Sequence, residues 1–139
     1  MRIAWKIFAV SIIGIAAVML PTAPASAADG GCVGSWHPPR EVNGVLEWGV
    51  TSICGGTGWT PHRVEVSLQR GHHWIMFTTV DTAKSQGYEQ GSPNISVHET
   101  TSCDSDAETT YRLVATIRAG STEGSIISED EYTVSCYIE

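Results

Sequence analysis

Four cysteines constrain the fold of this chain more than any other feature of its sequence. Cys32, Cys54, Cys103 and Cys136 are even in number and widely spaced. A structural zinc site normally contains a close Cys-x-x-Cys pair, which this sequence lacks. Domains of about 100 residues have modest hydrophobic cores, and disulfides commonly stabilise them in oxidising compartments. The cysteines therefore predict two disulfides in an exported protein.

The N-terminal residues predict export through a cleaved signal peptide. A cationic segment from Met1 to Lys6 precedes an uncharged apolar run from Ile7 to Leu20, and Ala25-Ser26-Ala27 supplies the small residues that a signal peptidase recognises. The apolar run is about 14 residues, which is shorter than the ~20 that a membrane-spanning helix needs. We therefore expect a signal peptide over residues 1–27 and a secreted mature protein without a membrane span.

Removal of the signal peptide makes an acidic chain more acidic. The full chain has 8 basic and 15 acidic side chains, and a net charge of −7. Arg2 and Lys6 leave with the signal, so the single mature domain over 28–139 has 6 basic against 15 acidic side chains, a net charge of −9. Nucleic-acid binding needs a clustered basic surface, and an anionic membrane repels such a charge. We expect neither of them as a partner.

Apolar residues alternate with polar residues along the mature chain, which is typical of half-buried strands. The predicted inward faces run from Leu46 to Cys54, Val64 to Leu68, Ile95 to Cys103, Tyr111 to Ile117 and Tyr132 to Ile138, after a first strand that begins at Cys32. A further strand is predicted over His73 to Val80, followed by a long loop from Asp81 to Asn94. Seven short strands separated by Gly, Pro and Asn turns predict a single antiparallel immunoglobulin-like β-sandwich.

The strand pattern also favours one disulfide pairing among the three that four cysteines allow. Cys32 begins the first strand and Cys54 ends the second, so an antiparallel hairpin brings them together. Cys103 precedes the sixth strand and Cys136 lies near the end of the seventh, which again places two sulfurs at one end of a hairpin. The alternative is an inter-sheet bridge between Cys54 and Cys103 with Trp48 packed against it, as in antibody domains.

Several sequence features follow one another along the mature chain. They are Cys32, the Pro38-Pro39 turn, a strand from Gly44 to Cys54, Cys103 before Tyr111-Arg112, and a terminal strand ending in Val134-Ser135-Cys136. With the cleavable signal, this layout resembles the small secreted two-disulfide β-sandwich proteins of Gram-positive bacterial secretomes, which have no assigned activity. The resemblance implies the fold and brings no function with it.

The sequence predicts a protein that is not an enzyme. It has no Gly-x-Ser-x-Gly, Ser-x-x-Lys or His-Glu-x-x-His motif, and disulfides would leave no free thiol. A surface copper or zinc site built from His72 and His98 is an alternative to ordinary solvated histidines, and the acidic run from Asp104 to Glu108 is an alternative calcium loop. We assign no catalytic residue, no metal ligand and no cofactor.

Two tryptophans are the candidate binding residues. Trp59 lies in the glycine-rich segment from Gly55 to Pro61, and Trp36 lies beside His37. Tryptophans in loops commonly anchor recognition. The sequence therefore predicts a secreted module that binds an extracellular protein, glycan or envelope component through Trp59 and Trp36.

Two other functions stay open at this stage. The first is a protease inhibitor that presents the loop 81–94, with Lys84-Ser85 as the bond offered to the protease, because disulfides keep a bound loop from relaxing. The second is a small enzyme or metal carrier built on the histidines.

Overall fold

The computed structural model describes residues 31–72, 75–86 and 92–139, so the predicted signal peptide lies outside the described residues, as do His73 and Trp74. All regular elements in these ranges are β-strands. They are β1 (Cys32–Val42), β2 (Val45–Cys54), β3 (His62–His72), β4 (Met76–Lys84), β5 (Asn94–Ser102), β6 (Ser105–Ala119), β7 (Thr122–Ile127) and β8 (Tyr132–Tyr137).

The strands form two antiparallel sheets. One has the order β1-β2-β5, and the other has the order β4-β3-β6-β7 with β8 also paired to β6. β8 pairs with β6 from Ser105 to Tyr111, and β7 pairs with it from Val114 to Ala119, so two short strands share one edge of the long strand. The prediction of an all-β antiparallel domain is confirmed. The predicted count of seven strands omits β7, which lies between the predicted strands Tyr111 to Ile117 and Tyr132 to Ile138.

The inward faces of both sheets contribute to one hydrophobic core. Burial alternates with exposure along β2, β3 and β6, as the pleat of a strand requires. The buried side chains on these strands include Leu46, Trp48, Val50, Val64, Val66, Leu68, Tyr111, Leu113, Ala115 and Ile117. The alternation predicted for these strands is therefore confirmed, and it follows from the removal of apolar surface from water on one face only.

Both predicted disulfides are present. Cys32 and Cys54 face each other across β1 and β2 with their Cα atoms 4.0 Å apart. Cys103, in the connection between β5 and β6, is bonded to Cys136 in β8 with a Cα separation of 5.2 Å. The alternative bridge between Cys54 and Cys103 is thereby excluded. The two bridges close loops of 22 and 33 residues, and each contributes about 3–4 kcal/mol on the chain-entropy account.

The fourth strand differs from its prediction. Asp81 to Lys84, which we expected to begin a long loop, are the last residues of β4 and pair with β3. The pairing of β3 with β4 has a register shift beside Leu68. Because of this shift, Val80 and Ala83 both pack toward the core although they are three positions apart along the strand. Asp81 also accepts a hydrogen bond of 2.6 Å from the Thr101 hydroxyl, which ties β4 to β5.

Candidate functional site

Trp59 and Trp36, the predicted contact residues, are both half-buried and packed against the core. Trp59 lies edge-on to the ring of His62, with ring centroids 6.3 Å apart and planes at 71°. Its carbonyl accepts a hydrogen bond of 3.1 Å from the N–H of Gly120, which ties the 55–61 segment to the turn after β6. Trp36 lies opposite Val50 in the pairing of β1 with β2. Each indole therefore contributes to packing and presents only part of its surface to solvent.

The structure places Lys84 and Ser85 beside β3. The Lys84 ammonium is 3.3 Å from the Glu65 carboxylate. Ser85 exchanges two hydrogen bonds with Val64: its N–H donates to the carbonyl at 2.8 Å, and its hydroxyl accepts from the N–H at 3.0 Å. The Lys84–Ser85 bond is thus held along the edge of a sheet. An inhibitory loop, in contrast, presents its bond to the protease away from the body of the fold.

His62 lies at the centre of a buried polar cluster. Its Nε2 atom is 2.9 Å from the Ser52 hydroxyl, and its Nδ1 atom is 2.5 Å from the carbonyl of Ser92. Burial lowers the pKa of His62 from its ordinary value of 6.5, and the hydrogen bond to Ser92 offsets part of this effect. The arrangement has the order of a serine nucleophile, a base and an orienting group. Both side chains are 0% exposed, however, so no substrate reaches the Ser52 hydroxyl.

The same histidine completes a buried group of potential metal ligands. Three potential ligand atoms, one from each of Cys32, Cys54 and His62, lie within 4.8 Å of one another. The two sulfurs are joined in a disulfide, so neither is the thiolate that a metal ion would need. We conclude that His62, Ser52 and the disulfide stabilise this end of the fold. The alternation predicts the inward face of β3 from Val64 onward and does not include His62.

Two histidines meet on the outer face of the three-stranded sheet. Gly49, in the central strand β2, is paired with His37 of β1 on one side and with His98 of β5 on the other. Trp48 and Val50, its neighbours along β2, are buried, so this row faces outward. The two imidazole centroids are 4.1 Å apart, with their planes at 33°.

The predicted alternative of a site made from His72 and His98 is wrong as a pairing. His72 ends β3 in the other sheet, where its Nε2 atom is 2.6 Å from the Thr78 hydroxyl. His98 instead contacts His37. Local sequence patterns do not indicate this contact, since it depends on the registers of two strand pairs.

The most exposed apolar side chains in the described part of the chain lie at the end of the β3–β4 hairpin. Ile75 is 86% exposed and Met76, the first residue of β4, is 55% exposed. Next to this end of the hairpin, Phe77 lies over Gly71, and the Arg112 guanidinium lies 4.0 Å from the centre of the Phe77 ring. These contacts pack the last residue pairs of β3 and β4 beside Ile75 and Met76.

A groove of about 560 Å³ crosses the outer face of the second sheet. Its charged lining includes Arg118 and Glu123, which form an ion pair of 3.3 Å, and the Lys84–Glu65 pair. The charges of this groove therefore largely neutralise one another, and we assign no function to the groove.

Comparisons of the chain with family models, curated proteins and solved structures gave no match. Within the described ranges, no helix has the length and apolar character needed to cross a membrane.

Proposed function

We propose that this protein is a secreted, non-catalytic binding module with an immunoglobulin-like β-sandwich fold. The strand order supports the fold. β1, β2 and β5 correspond to strands A, B and E of such a sandwich, and β4, β3, β6 and the β7–β8 edge correspond to C′, C, F and G. Sandwiches of this kind commonly serve as binding domains, because their sheets hold the connecting loops in fixed positions.

The exposure of the β3–β4 hairpin end is the observation that carries the binding function. A single exposed apolar residue is ordinary on a protein surface, but adjacent large ones that form a continuous exposed surface are typical of contact sites. Ile75 and Met76 are adjacent, and the next residue along β4, Phe77, packs against Arg112.

The chemistry of this contact favours a protein partner over a glycan. Isoleucine and methionine gain from burial in an apolar pocket, whereas sugars are bound mainly through hydrogen bonds and aromatic faces. The charge of the mature domain, −9, favours a partner whose surface is positively charged. We therefore propose an extracellular protein with an apolar pocket as the partner, and assign the half-buried Trp59 and Trp36 a smaller share of the contact.

The test compares three forms of the mature domain. Immobilised wild-type domain is used to capture proteins from culture supernatant and envelope extract, and the captured protein is then purified and its affinity measured. The double variant Ile75→Ser/Met76→Ser should bind at least about tenfold more weakly with an unchanged melting temperature. Ile127→Ser is the matched control, because Ile127 is 51% exposed on β7, and it should bind as wild type.

Equal affinity of the double variant and the wild type would exclude the hairpin end as the contact. Saturable binding to a purified glycan that the double variant retains would replace the proposed protein partner. Stoichiometric inhibition of a trypsin-like protease would instead establish the inhibitor function.

A further inference from the structure

We propose that His37 and His98 form a binding site for one divalent transition-metal ion, of the kind that imidazole prefers: Cu²⁺ or Zn²⁺. This inference rests on the outer face of the β1-β2-β5 sheet and is independent of the proposed partner-binding function. It also departs from the sequence analysis, which assigned no metal ligand.

The backbone registers bring the two rings together. His37 and His98 lie on strands that are not neighbours, and the intervening position on β2 is Gly49. A side chain at this position would stand between the two rings. A Cβ atom at Gly49 would also overlap the carbonyl oxygen of Val97, so the local backbone admits only glycine. The space above β2 stays open, and the imidazoles meet in it.

The separation of the rings suits one shared ion. Two imidazole nitrogens bound to one tetrahedral zinc ion at 2.0–2.1 Å are about 3.3 Å apart. The ring centroids of His37 and His98 are 4.1 Å apart, which is close enough for one ion to contact a nitrogen of each ring once the exposed His98 ring turns toward it. His98 is exposed and His37 is half-buried, which leaves the ion open to water for its remaining ligands.

His37 makes a hydrogen bond of the kind that orients metal-binding histidines in other proteins. Its Nε2 atom is 2.7 Å from the Thr51 hydroxyl, which is itself 2.7 Å from the Ser96 hydroxyl. When Nε2 donates its proton to Thr51, the lone pair lies on Nδ1 and is available to a metal ion. Histidine ligands generally make such a second hydrogen bond, which fixes the tautomer and the ring orientation.

The surroundings of His37 favour its neutral ring, which is the form that binds metals. Burial, and next the neighbouring His98 ring, lower the pKa of His37 from its ordinary value of 6.5. His37 and His98 line a groove of about 500 Å³. Glu47 also lines this groove, where its carboxylate pairs with Arg40 at 3.2 Å. The nitrogen ligands select transition metals over Ca²⁺ and Mg²⁺, which prefer oxygen.

The experiment titrates tag-free mature domain with Zn²⁺, and separately with Cu²⁺, by calorimetry at pH 7.5. We expect one ion per molecule, an affinity at least about tenfold lower for His37→Gln and for His98→Gln, and no change for His72→Gln. His72 is the matched control because it is a histidine bonded to a threonine hydroxyl in the other sheet.

A second measurement locates the ion without any substitution. Cu²⁺ is paramagnetic, so substoichiometric Cu²⁺ should broaden the NMR signals of His37, Gly49 and His98 before those of His62 and His72. Broadening centred on an acidic cluster or on His72, or unchanged affinity in His98→Gln, would overturn the proposal. Displacement of the ion by equimolar Ca²⁺ would do so as well.

Discussion

The phenol of Tyr111 and the backbone of Cys136 are joined by a buried hydrogen bond. The Tyr111 hydroxyl donates to the Cys136 carbonyl at 2.7 Å and accepts from the N–H of Ile138 at 3.0 Å. Tyr111 and Cys136 are both 0% exposed. One hydroxyl therefore satisfies a backbone acceptor and a backbone donor near the end of β8, beside the sulfur that binds Cys103.

Replacement of this hydroxyl should destabilise the domain. Tyr111→Phe keeps the ring but leaves the Cys136 carbonyl and the Ile138 N–H without their partner, and we expect a loss of about 1–3 kcal/mol in the free energy of unfolding. Denaturant unfolding measures it. Tyr132→Phe is the control, since Tyr132 is half-buried on β8, and it should change the free energy by about 0.5 kcal/mol or less. A similarly small change in Tyr111→Phe would contradict the prediction.

The two disulfides should contribute comparable stability. Replacing both cysteines of one bridge with alanine should lower the free energy of unfolding by about 3–4 kcal/mol, with a slightly larger loss for Cys103–Cys136 because its loop is longer. The measurement is reversible unfolding of each double variant. Non-reducing peptide mapping of the wild type should recover Cys32 linked to Cys54, and a Cys54–Cys103 peptide would contradict the structure.

The buried histidine should make stability depend on pH. The pKa of folded His62 lies below 6.5 because of burial, whereas an unfolded histidine titrates near pH 6.5. The unfolded state therefore binds more protons below about pH 6.5, and stability falls as the pH falls through this range, with a limiting slope of ~1.4 kcal/mol per pH unit.

Unfolding between pH 7.5 and pH 4.5 tests this dependence. His62→Gln, which does not titrate, should be less stable at pH 7.5 and should lose less stability on acidification than the wild type. Equal slopes for wild type and His62→Gln would show that other groups cause the acid sensitivity.

The features that local pattern determines were predicted from the sequence. The alternation around Trp48 and Leu113 identified β2 and β6, because a strand with one buried face must alternate. The disulfide pairing followed from the positions of Cys32 and Cys54 at the open end of one hairpin. Both inferences need only the order of strands along the chain and the direction of each side chain.

The features that depend on register were not predicted. The contact between His37 and His98 requires the pairings of β1 with β2 and of β2 with β5, and a register shift lies just after His37. The extent of β4 depends on a shift beside Leu68. The burial of His62 depends on contacts with Ser52 and Ser92, which are remote in sequence. No local periodicity reports such pairings.

Trp59 is the residue for which the structure most changes the expected result of a substitution. An exposed anchor would leave the stability unchanged when truncated, and a fully buried tryptophan would cost about 3–5 kcal/mol. Trp59 is half-buried, packs on the core and contacts the ring of His62. We expect Trp59→Ala to lower the free energy of unfolding by ~2 kcal/mol, measured by denaturant unfolding of the oxidised domain. Ile75→Ser, at an exposed position, should change it by about 0.5 kcal/mol or less.

The same variant separates a packing role for Trp59 from a binding role. If Trp59 mainly packs the 55–61 segment, affinity of the folded variant for the captured partner should fall less than it does in Ile75→Ser/Met76→Ser. The Trp59→Ala substitution should also expose the His62 ring. The pKa of His62 should then rise toward 6.5, and the pH dependence of unfolding should weaken. Unchanged stability together with a tenfold loss of affinity would make Trp59 the principal anchor and displace the hairpin end from that role.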